Sequence, residues 1–192
     1  MYKLDRPNLV QVDCSYSTIM ITYRFAQLSD ADAIAALHTQ SWRQTYRGIL
    51  HDDYLDGNIA EDRLAVWSSR LAEPVANQRI LVAEENGALC GFICLYLDED
   101  PQLGTLIDNL HVASGQKGKG IGLGLMREAA RQVIPQATQP GFHLVVYEIN
   151  QSAIQFYDRV GGQCIRTEQY DTPGGGQATI LRYVWRSAAD LR

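Results

Sequence analysis

Residues 117–124 read Lys117-Gly118-Lys119-Gly120-Ile121-Gly122-Leu123-Gly124, directly before a helical pattern that stops at Pro135. The apolar run Leu110-His111-Val112 precedes them and reads as the end of a strand. No acidic residue lies between Val112 and Arg127, whereas Lys117, Lys119 and Arg127 are basic. The window is therefore locally positive in a chain of net charge −5. A helix start carries unpaired N–H groups and the positive end of the helix dipole. Glycines let a ligand approach that backbone and adopt φ angles other residues avoid. The chemistry that fits is anion binding, with a diphosphate as the natural guest. Two nucleotide motifs fail on spacing. Gly115-x4-Gly120 is followed by Ile121 where a Walker loop needs lysine, and neither Gly118-x-Gly120 nor Gly120-x-Gly122 meets glycine at the third slot of a dinucleotide fingerprint. A flexible loop with no ligand stays as the alternative.

A second constellation lies some thirty residues downstream. Leu144-Val145-Val146-Tyr147-Glu148-Ile149-Asn150 leads into Gln151-Ser152-Ala153-Ile154-Gln155-Phe156-Tyr157 and closes at Gly161-Gly162. Taken singly, Asn150 reads as a helix cap, and Ala153, Phe156, Tyr157 and Val160 as a core stripe.

Together, the glycine turn and this helix resemble the GNAT superfamily of acyl-CoA-dependent N-acyltransferases, over roughly residues 21–185. The carrying motifs are Lys117-Gly118-Lys119-Gly120-Ile121-Gly122 and the N-x-x-A-x-x-F-Y run from Asn150 to Tyr157. One departure is Lys117, where the family usually has arginine or glutamine. Lysine keeps the charge and loses the planar fork.

The resemblance implies acetyl-CoA as donor and no metal. It also implies a mixed α/β (α+β) fold: a central, mostly antiparallel sheet with a splayed strand pair and helices on both faces. Cofactor contacts are expected from Leu110, His111, Val112, Lys117, Gly118, Lys119, Gly120, Ile121, Gly122 and Asn150. The backbone of Leu110 and Val112 would face pantetheine and polarise the thioester carbonyl. Tyr157 matches the position that commonly protonates the departing sulfur, with ring packing as its other reading. Asp108 sits where a carboxylate often works through water as the base; satisfying bulge backbone is its equal alternative, and His111 and Glu148 are weaker candidates. The apolar parity break between Ile107 and Leu110 independently suggests a bulge there. Trp42 and Tyr46, four apart on one helix face, would line the acceptor pocket or pack the helix on the sheet. Arg43 and Arg47 would indicate a carboxylate-bearing acceptor if they face that pocket.

These residues need a scaffold. The 192-residue length fits one domain. Residues 20–186 are expected to form it, after an extension over 1–19. Strands are expected at 21–25, 79–84, 88–97, 105–112, 142–147, 162–170 and 177–185. Helices are expected from Ser29, with Ile34 and Leu37 inward, and after Asn58. The latter carries a capping box to Glu61 and a Leu64, Trp67, Leu71 stripe. Further helices are expected at 120–134 and 151–160. Asn86-Gly87 marks a type I′ hairpin, and Gly174-Gly175-Gly176 the last turn.

The 17 basic and 22 acidic residues argue against nucleic acid as the main partner. Cys14, Cys90, Cys94 and Cys164 form no zinc spacing. The longest apolar run, near 88–97, is too short to span a bilayer, and no secretory leader is visible. A cytoplasmic setting with no membrane partner follows, with a homodimer left open. The expected activity is N-acetyl transfer to a small-molecule primary amine. A protein N-terminus or lysine as acceptor, and a non-catalytic acyl-CoA sensor, are the alternatives.

Overall fold

The structure is a computed structural model that describes residues 20–172 and 176–192. The expected extension over 1–19, Cys14, and the Gly174-Gly175 turn lie outside the described residues. Seven strands form one sheet: β1 (Ile21–Phe25), β2 (Gln78–Glu85), β3 (Ala88–Asp100), β4 (Gly104–Val112), β5 (Phe142–Tyr147), β6 (Gln163–Asp171) and β7 (Gln177–Trp185). Their spatial order is β1-β2-β3-β4-β5-β7-β6. Only β4 and β5 run parallel; every other neighbouring pair is antiparallel. The hairpin joining β2 to β3 turns at Asn86 (φ 53°) and Gly87 (φ 79°), the two positive angles a type I′ turn needs.

Helices cover both faces. On one, α4 (Ile121–Gln132) and α5 (Gln151–Arg159) seal a core containing Ile93, Leu95, Leu125, Met126, Leu144 and Trp185. On the other, α1 (Ala31–Thr45) and α3 (Ile59–Ala72) bury Ile34, Leu37 and Trp67 against Val82, Phe92 and Cys94. Alternate residues of β2 and β3 feed opposite cores, as the pleat requires. Each large apolar side chain buried this way contributes about 1.5–3 kcal/mol.

Four local expectations are corrected. The first helix begins at Ala31, after a 3-10 turn at Leu28–Asp30 whose capping box joins Gln27 and Asp30. The Arg24 guanidinium holds Asp30 there through two hydrogen bonds of 2.7 and 2.8 Å. Asn58 makes no side-chain cap. Leu64 is exposed, because α3 turns Arg63, Trp67 and Arg70 inward instead. The Arg63 guanidinium lies over Trp42, and that of Arg70 over Trp67. An unexpected short helix, α2 (Asp52–Asp56), is tied to Arg43 of α1 and to Arg47 just past the end of α1. Arg43 Nε donates to Leu55 O at 2.7 Å, and Arg47 pairs with Asp52 and Asp56. Both arginines therefore serve α2, which removes the argument they offered for a carboxylate-bearing acceptor.

Candidate functional site

The parallel pair is where the sheet opens. β4 and β5 share register only at Thr105↔Phe142 and Leu106↔His143. Beyond that, β4 stays with β3 and β5 with β7, so the two strands part. The parity break expected near Asp108 is a bulge: Cys94 faces Asn109 and Leu95 faces Ile107, leaving Asp108 as the extra residue. Past the bulge, Ala113 N–H donates to Cys90 O on β3 at 2.9 Å. By alternation, the N–H and C=O groups of Leu110 and Val112 point away from β3 into the gap.

A cavity of about 700 Å³ fills this gap. Its lining includes every residue expected at the site except Lys119 and the weaker base candidate Glu148, and so brings Trp42 of α1 and its C-cap Tyr46 together with Asp108, the glycine turn, Asn150 and Tyr157. Among the described residues no group of His, Cys, Asp and Glu is placed to hold a metal ion. Nor is any helix long and apolar enough to cross a membrane.

The glycine turn divides by role. Gly118 (φ 82°) and Gly120 (φ 80°) are left-handed, and a Cβ on either would meet nothing within 4 Å. Gly120 caps α4 with no side chain over the helix end. The first intrahelical bond is Gly124 N–H to Gly120 O, so the preceding amides are free to hold an anion. With the unpaired edge of β4 beside them, these groups suit a diphosphate followed by an amide-bearing arm. Gly124 serves packing instead: a Cβ there would lie 1.9 Å from the Tyr23 hydroxyl. The local charge is also less positive than the sequence window suggests. Folding brings in Glu85 from the β2–β3 hairpin, where it accepts from Gln116 and pairs with Lys119 at 3.5 Å. Lys117 is left as the one cation of the turn without an ion pair among the described residues.

Asn150 caps α5, its Oδ1 accepting from Ala153 N–H at 3.2 Å and Ser152 Oγ at 3.1 Å. Tyr157 is buried against Tyr183 and Trp185, with ring centroids 5.7 and 5.9 Å away. Its hydroxyl has no hydrogen-bond partner among the described residues. Desolvation, with a smaller contribution from Tyr46, pushes its pKa up from the ordinary 10.0. The phenol therefore keeps its proton. Tyr46 is pushed up to about 12 by the same desolvation, helped by Tyr147 and opposed by an Asn150 hydrogen bond.

Asp108 Oδ2 accepts from Arg70 Nη1 at 2.7 Å, so this carboxylate is anchored to α3. Beside it, His111 Nδ1 is 2.8 Å from Ser41 Oγ, and its ring packs 4.6 Å from that of His38. Trp67 Nε1 donates to His38 Nδ1 at 2.9 Å, which places the His38 proton on Nε2. Sequence reasoning missed Ser41 as the partner of His111, and missed Tyr147 and Tyr170 beside Tyr46 in the cavity. The only sequence signal for Tyr147 was its outward parity at the end of β5.

The buried histidines make a prediction. Desolvation lowers His38 well below its ordinary 6.5, helped by His111, and lowers His111 to about 3. His143 is lowered too, also by burial. Below pH 6.5 the unfolded chain takes up protons that these folded imidazoles refuse, so stability falls as pH falls. Each histidine contributes a slope of up to about 1.4 kcal/mol per pH unit. Urea titrations between pH 7.5 and 5 should show this loss, and His38→Gln should make the slope shallower. A stability flat across that window would refute the account.

Comparison with known proteins bears on the whole arrangement. The family described as Acetyltransferase (GNAT) matches residues 34–162. An uncharacterized N-acetyltransferase of Bacillus subtilis, YuaI, is 26% identical over 160 residues, covering 81% of this chain and 87% of its own. The L-amino acid N-acyltransferase MnaT of Escherichia coli is 27% identical over 146 residues, covering 73% and 78%. The crystal structure of PaiA N-acetyltransferase from Thermoplasma acidophilum, in complex with coenzyme A, superposes with a TM-score of 0.65. It shares 22% identity, over 85% of this chain and 98% of that one.

Proposed function

Since the chain belongs to the GNAT acetyltransferase family and is an acyl-CoA-dependent acetyltransferase, we propose that its acceptor is the primary amine of a small molecule, which attacks the acetyl-CoA thioester directly. The observation that carries this reading is the continuity of one cavity. It runs from the open N-terminus of α4, along the unpaired edge of β4, past Tyr157, to Trp42 and Tyr46. Acetyl-CoA supplies an acetyl group activated as a thioester.

The residues of the chain meet three demands. Lys117 and the amides of residues 118–122 hold the diphosphate. The amides of Leu110 and Val112 orient the arm and hydrogen-bond the carbonyl as negative charge develops on it. The amine must shed a proton, since an alkylammonium holds one up to about pH 10. Asp108 receives that proton through water from the fixed position Arg70 gives it, and neutral His111 lines the same cavity, its Nε2 without a hydrogen-bond partner among the described residues. The Tyr157 hydroxyl then donates to the departing sulfur.

The test is thiol release from acetyl-CoA across a panel of small amines and short peptides, with the acetylated product identified by mass. Release with small amines is expected. Acetyl-CoA binding without release in the presence of any amine or peptide would favour a sensor, and release confined to peptides would favour a protein acceptor.

A further inference from the structure

Resting on the small-amine reading, we propose that the acceptor is an aryl-bearing primary amine that carries no carboxylate. Four aromatic rings from three separate elements meet at the acceptor end of the cavity. Trp42 lies 5.6 Å from Tyr46, Tyr46 lies 5.1 Å from Tyr147, and Tyr147 lies 6.4 Å from Tyr170, centroid to centroid. All three pairs stand edge to face, and all four rings line the cavity. Tyr170, 48% exposed, forms the rim, while Tyr46 reaches inward to the electrostatic neighbourhood of Tyr157. A flat apolar body would gain offset or edge-to-face contact with several of these rings at once. Its ammonium, before losing a proton, would be welcomed by their faces.

The charges argue the same way. A carboxylate on the acceptor would need a cation to replace its water. None of the arginines around this end lines the cavity: Arg43 donates to Leu55 O, Arg47 pairs with Asp52 and Asp56, Arg63 pairs with Asp62 and lies over Trp42 from outside the lining, and Arg70 pairs with Asp108. The cations that do line the cavity, Lys117 and Arg159, belong to the glycine turn and to α5 at the donor end. The one acidic residue of the lining is Asp108, itself a carboxylate and already paired with Arg70. In the reaction the amine nitrogen forms a bond to the acetyl carbon and the carbon–sulfur bond breaks. The products are the N-acetylated amine and the free thiol, with one proton released from the original ammonium.

Matched pairs test this: 2-phenylethylamine against L-phenylalanine, and hexylamine against L-2-aminoheptanoate, each by kcat/KM for thiol release. The amine lacking a carboxylate should lead its partner by about 30-fold or more, a desolvated unpaired charge being worth more than 2 kcal/mol, and phenylethylamine should lead hexylamine. Tyr170→Ala, at the exposed rim, and Tyr147→Leu should raise KM for phenylethylamine by about 5- to 10-fold through lost ring contact. Equal or faster turnover of the amino acids, or rim variants that leave KM unmoved, would overturn the proposal while the small-amine reading stood. Turnover of no small amine at all would overturn both.

Discussion

Gly120→Val is expected to raise the dissociation constant for coenzyme A by about 100-fold, equivalent to losing two charge-assisted hydrogen bonds at about 1.5 kcal/mol each. The prediction does not depend on a clash within the protein, because a Cβ at Gly120 would meet nothing within 4 Å. It depends on Gly120 lining the cavity at the N-terminus of α4, next to the free amides of the first turn. A valine there also resists the φ of 80°, which costs about 1–3 kcal/mol and pulls the turn away from its shape. Gly120→Asn separates the two effects. Asparagine tolerates the left-handed region, so thermal stability should stay close to wild type while its side chain still stands in the anion's place. Calorimetric titration with coenzyme A reads the affinity. Gly124→Ala is the counterpart: its methyl group runs into the Tyr23 ring. It should therefore lower stability by about 1–3 kcal/mol and leave coenzyme affinity near wild type below the unfolding transition. Undiminished binding by Gly120→Val would sink the diphosphate assignment.

That contrast between two glycines four residues apart shows what the sequence could and could not tell. The left-handed turn between a strand end and a helix start was legible because its determinants are local: glycine spacing, a strand before it and a helix after it. Strands β1, β5 and β7 fell on their expected bounds because short apolar or alternating runs are written in consecutive residues, and the Asp108 bulge showed as a break in apolar parity. What escaped depends on residues far apart in the chain. Glu85 reaches Lys119 only after the β2–β3 hairpin forms. The five-residue helix α2 is held by Leu55, buried with Leu50 and Ile59, and by Arg43 and Arg47 reaching across to it, and nothing in Asp52–Asp56 alone demands a helix. The aromatic end of the cavity draws on α1, β5 and β6, so Tyr147 and Tyr170 looked like ordinary strand residues until the sheet placed them beside Tyr46.

Tyr157→Phe carries the other large effect, a fall in kcat of about 100-fold, at the lower end of what a positioned general acid contributes. Phenylalanine keeps the ring packed against Tyr183 and Trp185, so folding should change little. Coenzyme A affinity should hold as well, because the diphosphate and β4 contacts lie elsewhere in the cavity. A loss confined to kcat would mark an interaction made only as the sulfur departs. The pH profile sharpens the assignment. Burial raises the Tyr157 pKa above its ordinary 10.0, and the phenol is the acid form, so it is fully present below that value. Wild-type kcat should therefore show no alkaline decline from this group up to about pH 10. In contrast, a phenol of ordinary pKa would already be half ionised there. If Tyr157→Phe turns over acceptor as fast as wild type, the residue is a packing element and the thiolate leaves without its proton. If it turns over slowly but binds coenzyme A weakly too, the hydroxyl holds the donor rather than protonating it. Only a slow variant with intact donor affinity makes Tyr157 the acid.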